Sequence, residues 1–481
     1  MTFEAVIGLE THVELRTASK MFCGCPAEFG AEPNTHVCPV CLGLPGALPV
    51  PNQAAIDMVV SLGVALGCEI APRSLFHRKN YFYADMPKNY QISQYDLPLC
   101  RAGHLDVEAD GTTRRVGITR VHLEEDTGKS THLGRSGRIH GAEAALLDFN
   151  RAGVPLMEVV TEPDLRTPAE ARAYAEELRD LVLALGISDA KLEEGSLRFD
   201  ANVSLRPVGS DGLGVKVEVK NMNSLRSVQR ALGYEIERQA GLLEAGERVA
   251  QETRHWDEEQ GRTEPGRSKE ESSDYRYFPE PDLVPLAVSD DDAAERRAAL
   301  PELPAERRAR YRSLGLDPDA ARLVASGEGF GALLEDAAAA GADAAKAATW
   351  LTGEVTAHLR RIGRAVPEVP LTGADVAELV AMVDAGDLSA TAAKEVIGGV
   401  IDGEGSPRTV AERRDLMQIS DAGVIETAVA AALAAHPDEA ERLRGGDMKL
   451  IGFFVGRVMQ ATGGKADPKA VSALIRERAG G

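Results

Sequence analysis

The sequence predicts an α+β protein: a mixed/antiparallel-sheet domain over residues 1–290, an all-helical domain over 291–403 and a small helical tail over 404–481. Three observations carry this prediction. Before residue 290, several runs alternate apolar and polar residues with a period of two, and few helices interrupt them. After the acidic run Asp290-Asp291-Asp292 the chain becomes alanine-rich and helical. The stretch Asp402-Gly403-Glu404-Gly405-Ser406-Pro407 then has the composition of a linker to a last helical module.

The clearest strands lie between Ser196 and Lys220. Leu197, Phe199, Ala201, Val203 and Leu205 alternate with polar residues through Arg206, and Val215, Val217 and Val219 alternate with Lys216, Glu218 and Lys220. The turn-rich connector Pro207 to Gly214 makes the pair a β-hairpin. Its polar face carries Asp200, Asn202 and Glu218 among Arg198, Lys216 and Lys220, a composition suited to a metal ion and phosphates. A charged strand face is more often simply wet, so this stripe alone decides nothing. Two helices are marked as clearly. One starts at a Thr167 cap with Pro168 in its first turn and Glu170 completing a capping box, and it stops at Gly186. Its apolar face is Tyr174, Leu178, Leu181, Val182 and Leu185. The other runs from about Ser224 and buries Leu225, Val228, Leu232, Ile236 and Leu243.

Candidate chemistry collects on three further segments. Ile7, Leu9, Thr11, Val13 and Leu15 alternate with Glu10, His12 and Glu14, so Glu10 and His12 share a strand face at a spacing that allows both to ligate one ion. In Val121-His122-Leu123-Glu124-Glu125-Asp126, Glu125 shares a face with Val121 and Leu123; a carboxylate pointing inward needs a cation or hydrogen bonds. Between Phe76 and Asp96, four of the nine tyrosines interleave with Arg78, Lys79 and Lys88, an arrangement that clamps phosphates and stacks bases, or else forms a tyrosine-rich core edge. Carboxylates from separate strands with lysines beside them point to metal-assisted phosphoryl transfer. The usual nucleotide fingerprints are missing. Gly128-Lys129-Ser130 resembles the end of a P-loop, but Leu123 occupies the upstream glycine position, and no Gly-x-Gly-x-x-Gly run follows a strand.

Four of the six cysteines fall as Cys23-x-Cys25 and, after twelve residues, Cys38-x-x-Cys41, with Gly24, Pro26, Pro39 and Gly43 around them. Paired cysteines on two such turns fit a closed tetrahedral zinc site, against the alternatives of two disulfides or free thiols. Cys68 and Cys100 read as core thiols. No apolar segment is long enough for a signal peptide or membrane span, which predicts a soluble, cytoplasmic protein with no membrane partner. The net charge of −21 is unfavourable for a nucleic-acid binder, but the chain from Arg408 onward is near neutral.

Eight runs taken together resemble one family. They are Leu9-Glu10-Thr11-His12-Val13-Glu14-Leu15, Arg78-Lys79-Asn80-Tyr81-Phe82-Tyr83, Tyr90-Gln91-Ile92-Ser93-Gln94-Tyr95-Asp96 and His122-Leu123-Glu124-Glu125-Asp126, followed by Asp148-Phe149-Asn150-Arg151, Glu193-Glu194-Gly195-Ser196-Leu197-Arg198, Gln251-Glu252-Thr253-Arg254 and Asp274-Tyr275-Arg276-Tyr277-Phe278-Pro279. In this order they are similar to the B subunits of tRNA-dependent amidotransferases, the GatB/GatE family. A weaker likeness continues through Gly452-Phe453-Phe454-Val455-Gly456.

The resemblance implies an N-terminal cradle domain, a helical domain and a helical tail that contacts tRNA. It implies ATP-dependent amidation of misacylated Glu-tRNA(Gln) and/or Asp-tRNA(Asn). The side-chain carboxylate is phosphorylated, and ammonia then displaces phosphate. Carried over residue by residue, it implies magnesium ligation by Glu10, His12, Glu125 and Glu218, and zinc on Cys23, Cys25, Cys38 and Cys41. It implies phosphorylation chemistry at Lys79 and Asp200, with Glu124, Asn202 and Lys220 helping, and ATP contacts from Lys79, Tyr81 and Lys88. The chain has no Gly-Gly-Ser-Ser amidase run and no Cys/His glutaminase pair, so ammonia comes from elsewhere. The implied partners are a glutaminase A subunit of the amidase type and a small C subunit, in a heterotrimer. Two other readings stand beside this one: a zinc-containing, non-catalytic RNA-binding adaptor, and a metal-dependent hydrolase using Glu10, His12 and Glu125.

Overall fold

In the computed structural model the described residues are 3–133, 143–266, 275–327, 329–418, 422–463 and 465–480. Asp274, which belongs to a sequence motif noted above, lies outside them. The chain forms two compact units, Met1–Leu303 and Pro304–Gly481.

The first unit is built on a nine-stranded mixed sheet. Its strands in chain order are β1 (Phe3–Glu14), β2 (Glu69–Ile70), and, after two strands of a smaller sheet, β3 (His77–Asn80) and β4 (Tyr90–Ser93), come β5 (Cys100–Ala109) and β6 (Thr112–Glu125). A separate hairpin, β7 (Lys129–Leu133) and β8 (Ala144–Asp148), precedes β9 (Pro155–Thr161) and β10 (Leu197–Pro207). The set ends with β11 (Val217–Lys220), β12 (Thr253–Asp257), β13 (Arg262–Pro265) and the two-residue β14 (Phe278–Pro279). The large sheet runs in the order β13-β12-β11-β10-β1-β9-β6-β5-β2, and the small one β14-β3-β4. Among the described pairs of the large sheet only β11 with β12 is parallel. The hairpin expected from the sequence is β10–β11, in register with Asn202 opposite Glu218.

Strand alternation divides this sheet chemically. Ile7, Leu9 and Val13 of β1, with Leu197, Phe199, Ala201 and Val203 of β10, join one apolar core. Helices α1 (Gln53–Ala65), α2 (Pro168–Ala184) and α3 (Leu225–Glu244) contribute Val59, Tyr174, Leu178, Val228 and Leu232 to that core. Burying such side chains stabilises a fold by about 1.5–3 kcal/mol each. The α2 cap follows the sequence: Thr167 Oγ1 accepts from the Glu170 N–H at 3.1 Å, and Gly186 takes φ +67° beyond the helix. The box differs in one detail, because Glu170 accepts from the N–H of Arg166, not of Thr167, and pairs with Arg114. In α3, Leu225, Ile236 and Leu243 are only partly buried, while Glu235 and Gln239 are fully buried and hydrogen-bonded to each other.

The second unit is helical and holds two apolar cores. One gathers Tyr311, Leu334, Val355, Leu379, Val396 and Val410; the other gathers Ile425, Val429, Leu443, Phe454, Val458 and Ile475. Ser406 caps the helix Pro407–Arg413, which packs into the first of these cores. Lys465 pairs with Asp415. No helix among the described residues is long and apolar enough to cross a membrane.

Candidate active site

The polar face of the large sheet lines a cavity of about 1250 Å³ in the first unit. Register explains its composition. Across β1–β10, Glu10 lies opposite Asp200 and His12 opposite Arg198; across β1–β9, His12 lies opposite Glu158; across β6–β9, His122 lies opposite Glu158. Residues two apart on a strand share a face, so Glu124 falls beside His122. One ligand atom each from His12, Glu124 and Glu158 lies within 4.8 Å of the other two. His12 Nε2 is 3.6 Å from Glu158 and 4.0 Å from Glu124, and His122 Nε2 is 3.5 Å from Glu158.

Electrostatics fit a charged ligand. Burial opposes the His12 imidazolium, yet its contact with Glu158 and the charges of Glu158 and Glu124 raise its pKa. Burial also works to raise Glu158, but the adjacent His122 and His12 hold it well below the usual carboxylate range. His122, fully enclosed, is pushed down. Burial and the neighbouring Glu158 raise Glu10, whose carboxylate accepts from Asn202 Nδ2 at 3.0 Å. Lys79 is raised as well: burial works against its charge, but acidic groups led by Glu124 outweigh it. Further along, Lys220 Nζ donates to Asp200 at 2.5 Å and lies 3.0 Å from Glu218, whose other oxygen accepts from Thr253 at 2.6 Å. The cavity therefore sets a histidine and two carboxylates, the donor chemistry of a divalent cation, among cations able to hold phosphates.

A match to the model of the GatB/GatE catalytic domain covers residues 5–294, and one to the GatB domain covers 332–478. The chain belongs to the GatB/GatE family. Curated relatives agree over nearly the full length. The chain is 55% identical over 490 residues to the B subunit of the aspartyl/glutamyl-tRNA(Asn/Gln) amidotransferase from Frankia casuarinae, covering 99% of this chain and 96% of that one. It is 51% identical to the protein of the same name from Thermosynechococcus vestitus and 52% identical to the one from Salinispora arenicola, covering in each case 99% of this chain and 97% of the relative.

Most sequence-selected residues meet in the cavity of this GatB/GatE chain: Glu10, His12, Lys79, Tyr81, Glu124, Asp200, Asn202, Glu218 and Lys220 all line it. Glu125 and Lys88 stand apart. Glu125 projects from the opposite face of β6, where its carboxylate accepts from Lys88 and from the Ile92 N–H at 2.8 Å. Lys88 is buried in that pair and lies 5.4 Å over the Tyr90 ring. The inward carboxylate expected at Glu125 is therefore present, but its cation is a lysine, and the histidine–carboxylate cluster that could hold an ion contains Glu124 in its place. Sequence reasoning also missed Glu158. Its only signal is a single carboxylate inside the otherwise apolar run Pro155-Leu156-Met157-Glu158-Val159-Val160.

The four clustered cysteines bring their sulfurs within 4.8 Å of one another, and none of the six forms a disulfide. A hydrogen bond from Cys23 is the main cause holding the Cys41 thiol down at about 4, while Cys23 itself goes up. Four convergent thiols fit the donor set of a structural zinc. A Cβ on Gly153 would lie 3.5 Å from Cys41 and 3.7 Å from Glu125, so the knuckle backs the buried ion pair and not the cavity.

Proposed function

We propose that this chain is the phosphorylating and amidating subunit of a tRNA-dependent amidotransferase, acting on Glu-tRNA(Gln), Asp-tRNA(Asn) or both. A carboxylate is a poor electrophile. Its oxygen attacks the γ-phosphorus of ATP, ADP leaves, and the acyl phosphate then loses phosphate to ammonia, giving the amide. The observation that supports this most is the convergence of His12, Glu124 and Glu158 beside Lys79 in one cavity. A magnesium ion on those three residues supplies neutralisation of phosphate charge when bound. Lys79, on β3 of the small sheet and favoured in its charged form by Glu124, neutralises phosphate oxygens. Lys220, positioned by Asp200 and Glu218, supplies a second cation, and Asn202 orients Glu10. Tyr81 lines the same cavity.

Ammonia comes from an amidase-type glutaminase A subunit, and a small C subunit completes a cytoplasmic heterotrimer. A structural zinc occupies the Cys23, Cys25, Cys38 and Cys41 cluster. The helical tail over 404–481 carries the contacts with the body of the tRNA. The test is ADP formation by the reconstituted heterotrimer with magnesium, ammonium chloride, and charged or uncharged tRNA. ADP release should require charged tRNA and disappear in Glu124→Gln and Asp200→Asn. Release that persists in both variants, or that ignores the charge on the tRNA, overturns the assignment.

A further inference from the structure

We propose that the stacked pair Tyr95 and Tyr277 is a platform for an adenine ring at the solvent-facing end of the cavity. The two rings lie nearly parallel, at 10° with centroids 4.4 Å apart, and both line the cavity. Tyr95 remains 59% exposed, so one partner of a flat aromatic stack is open to solvent. The stack ends an arc of rings. Tyr277 meets Tyr275 edge-on at 6.1 Å, and the ammonium of Lys79 sits 5.2 Å over the Tyr275 ring. The arc therefore runs from Lys79, which lines the cavity together with His12, Glu124 and Glu158, outward to an exposed ring. A nucleotide placed along it has its charged end at Lys79 and its base at Tyr95.

The segment carrying Tyr275 and Tyr277 is pinned from below. Asn80 donates its N–H to the Tyr275 carbonyl at 2.9 Å and its side-chain amide to the Arg276 carbonyl at 2.9 Å. Arg78 grips the buried Glu280 through two bonds of 2.6 and 2.8 Å. Arg276 between the two tyrosines holds φ at +44°, a strained conformation for a residue with a Cβ, of the kind stored at functional sites. On the other side, Asp96 next to Tyr95 contacts His77 at 3.2 Å. Such bracing presents the rings in one orientation before any ligand arrives, which favours stacking over a folding role for an exposed ring. The choice of adenine rests on the phosphoryl-transfer reading, in which both nucleotides reaching this cavity carry it: ATP, and the 3′-terminal adenosine that bears the amino acid.

The test uses the heterotrimer and two probes, 2-aminopurine riboside triphosphate and charged tRNA with 2-aminopurine at its 3′ terminus. Stacking quenches the fluorescence of this base, so the readout does not depend on turnover. One probe should be quenched by the parent and by Tyr95→Phe, and not by Tyr95→Ala. The KM of the matching substrate should rise about tenfold in Tyr95→Ala with kcat little changed, the size of one lost base–aromatic stack. Whichever probe responds identifies the source of the adenine. Equal quenching of both probes by parent and Tyr95→Ala overturns the proposal. So does a Tyr95→Ala variant that melts lower and binds both substrates worse, since the pair is then a support for the segment carrying Tyr275 and Tyr277. Failure of the phosphoryl-transfer reading shows separately, as parent ADP release that ignores tRNA charging.

Discussion

Glu124 and Glu125 are neighbours in the chain and are both nearly inaccessible to solvent, yet β6 sends them to opposite faces. Glu125 meets a lysine and a backbone N–H, and the chain itself satisfies its charge. Glu124 meets the Ser93 hydroxyl at 3.2 Å, has His12 and His122 at 4.0 Å, and shares those imidazoles and the charge of Lys79 with a second carboxylate, Glu158. The lesson is that burial of a carboxylate does not mark a site. What marks it is burial beside groups that leave its negative charge under-compensated, so that an ion improves the cluster.

The largest effect expected from this contrast is on stability. Lys88→Met leaves Glu125 buried without its cation and should destabilise the first unit by about 3–5 kcal/mol, read as a lowered urea midpoint. Adding Glu125→Leu should restore most of the loss, because a buried pair replaced by apolar groups is often neutral. A single variant as stable as the parent would mean that Glu125 has a second source of compensation, and the contrast with Glu124 would fail.

Glu124→Gln should act in the other direction. Removing one charge from a crowded acidic cluster leaves the urea midpoint close to the parent's. Charged-tRNA-dependent ADP formation should fall by roughly two to three orders of magnitude, the value of a cation stabilising the transferring phosphoryl group. Comparable activity loss in Glu125→Gln at unchanged stability would exchange the roles of the two residues.

The two glutamates also divide what is legible in the sequence from what is not. The β10–β11 hairpin, the Thr167 cap of α2 (though not the closure of its box by Glu170) and the shared face of Glu10 and His12 follow from local alternation and turn chemistry, and each is found as expected. Alternation also gives Glu124 and Glu125 opposite faces, but it does not say which face becomes the cavity. That depends on β9 inserting between β1 and β6, which brings Glu158 opposite both His12 and His122. The small sheet is beyond local patterns for the same reason, since β14 pairs Phe278 with Arg78 from a distant part of the chain. The fate of Glu125 is readable only in outline. An inward carboxylate needs a partner, but nothing local points to Lys88, which the family resemblance directs to nucleotide contacts instead.

A subtler change probes how the four-cysteine cluster supports the Glu125 side. Gly43 holds φ at +67°, and a Cβ there would run into the Lys88 side chain. Gly43→Ala should cost about 1–2 kcal/mol from the left-handed backbone, with some displacement of Lys88 added to it. The urea midpoint should drop less than in Lys88→Met, and zinc content by elemental analysis should stay at the parent's level. If zinc is lost as well, the knuckle and the ion pair form one cooperative element.

The smallest effect tests the Glu124 side without touching an ion ligand. Ser93 Oγ bonds Glu124 Oε2 and helps to fix which oxygen faces His12. Groups that orient a ligand typically change metal affinity by roughly ten- to a hundredfold when removed. Ser93→Ala should lie at the lower end, about tenfold, because the hydroxyl is a neutral donor and the bond is long. The reading is a magnesium titration of ADP formation: the half-saturating concentration should rise while the rate at saturating magnesium returns to the parent's. A fall in the saturated rate instead would mean that Ser93 positions substrate. No change in either quantity would mean that Glu124 is oriented by the histidines alone, which would sharpen the contrast with Glu125, whose backbone donor no side-chain truncation removes.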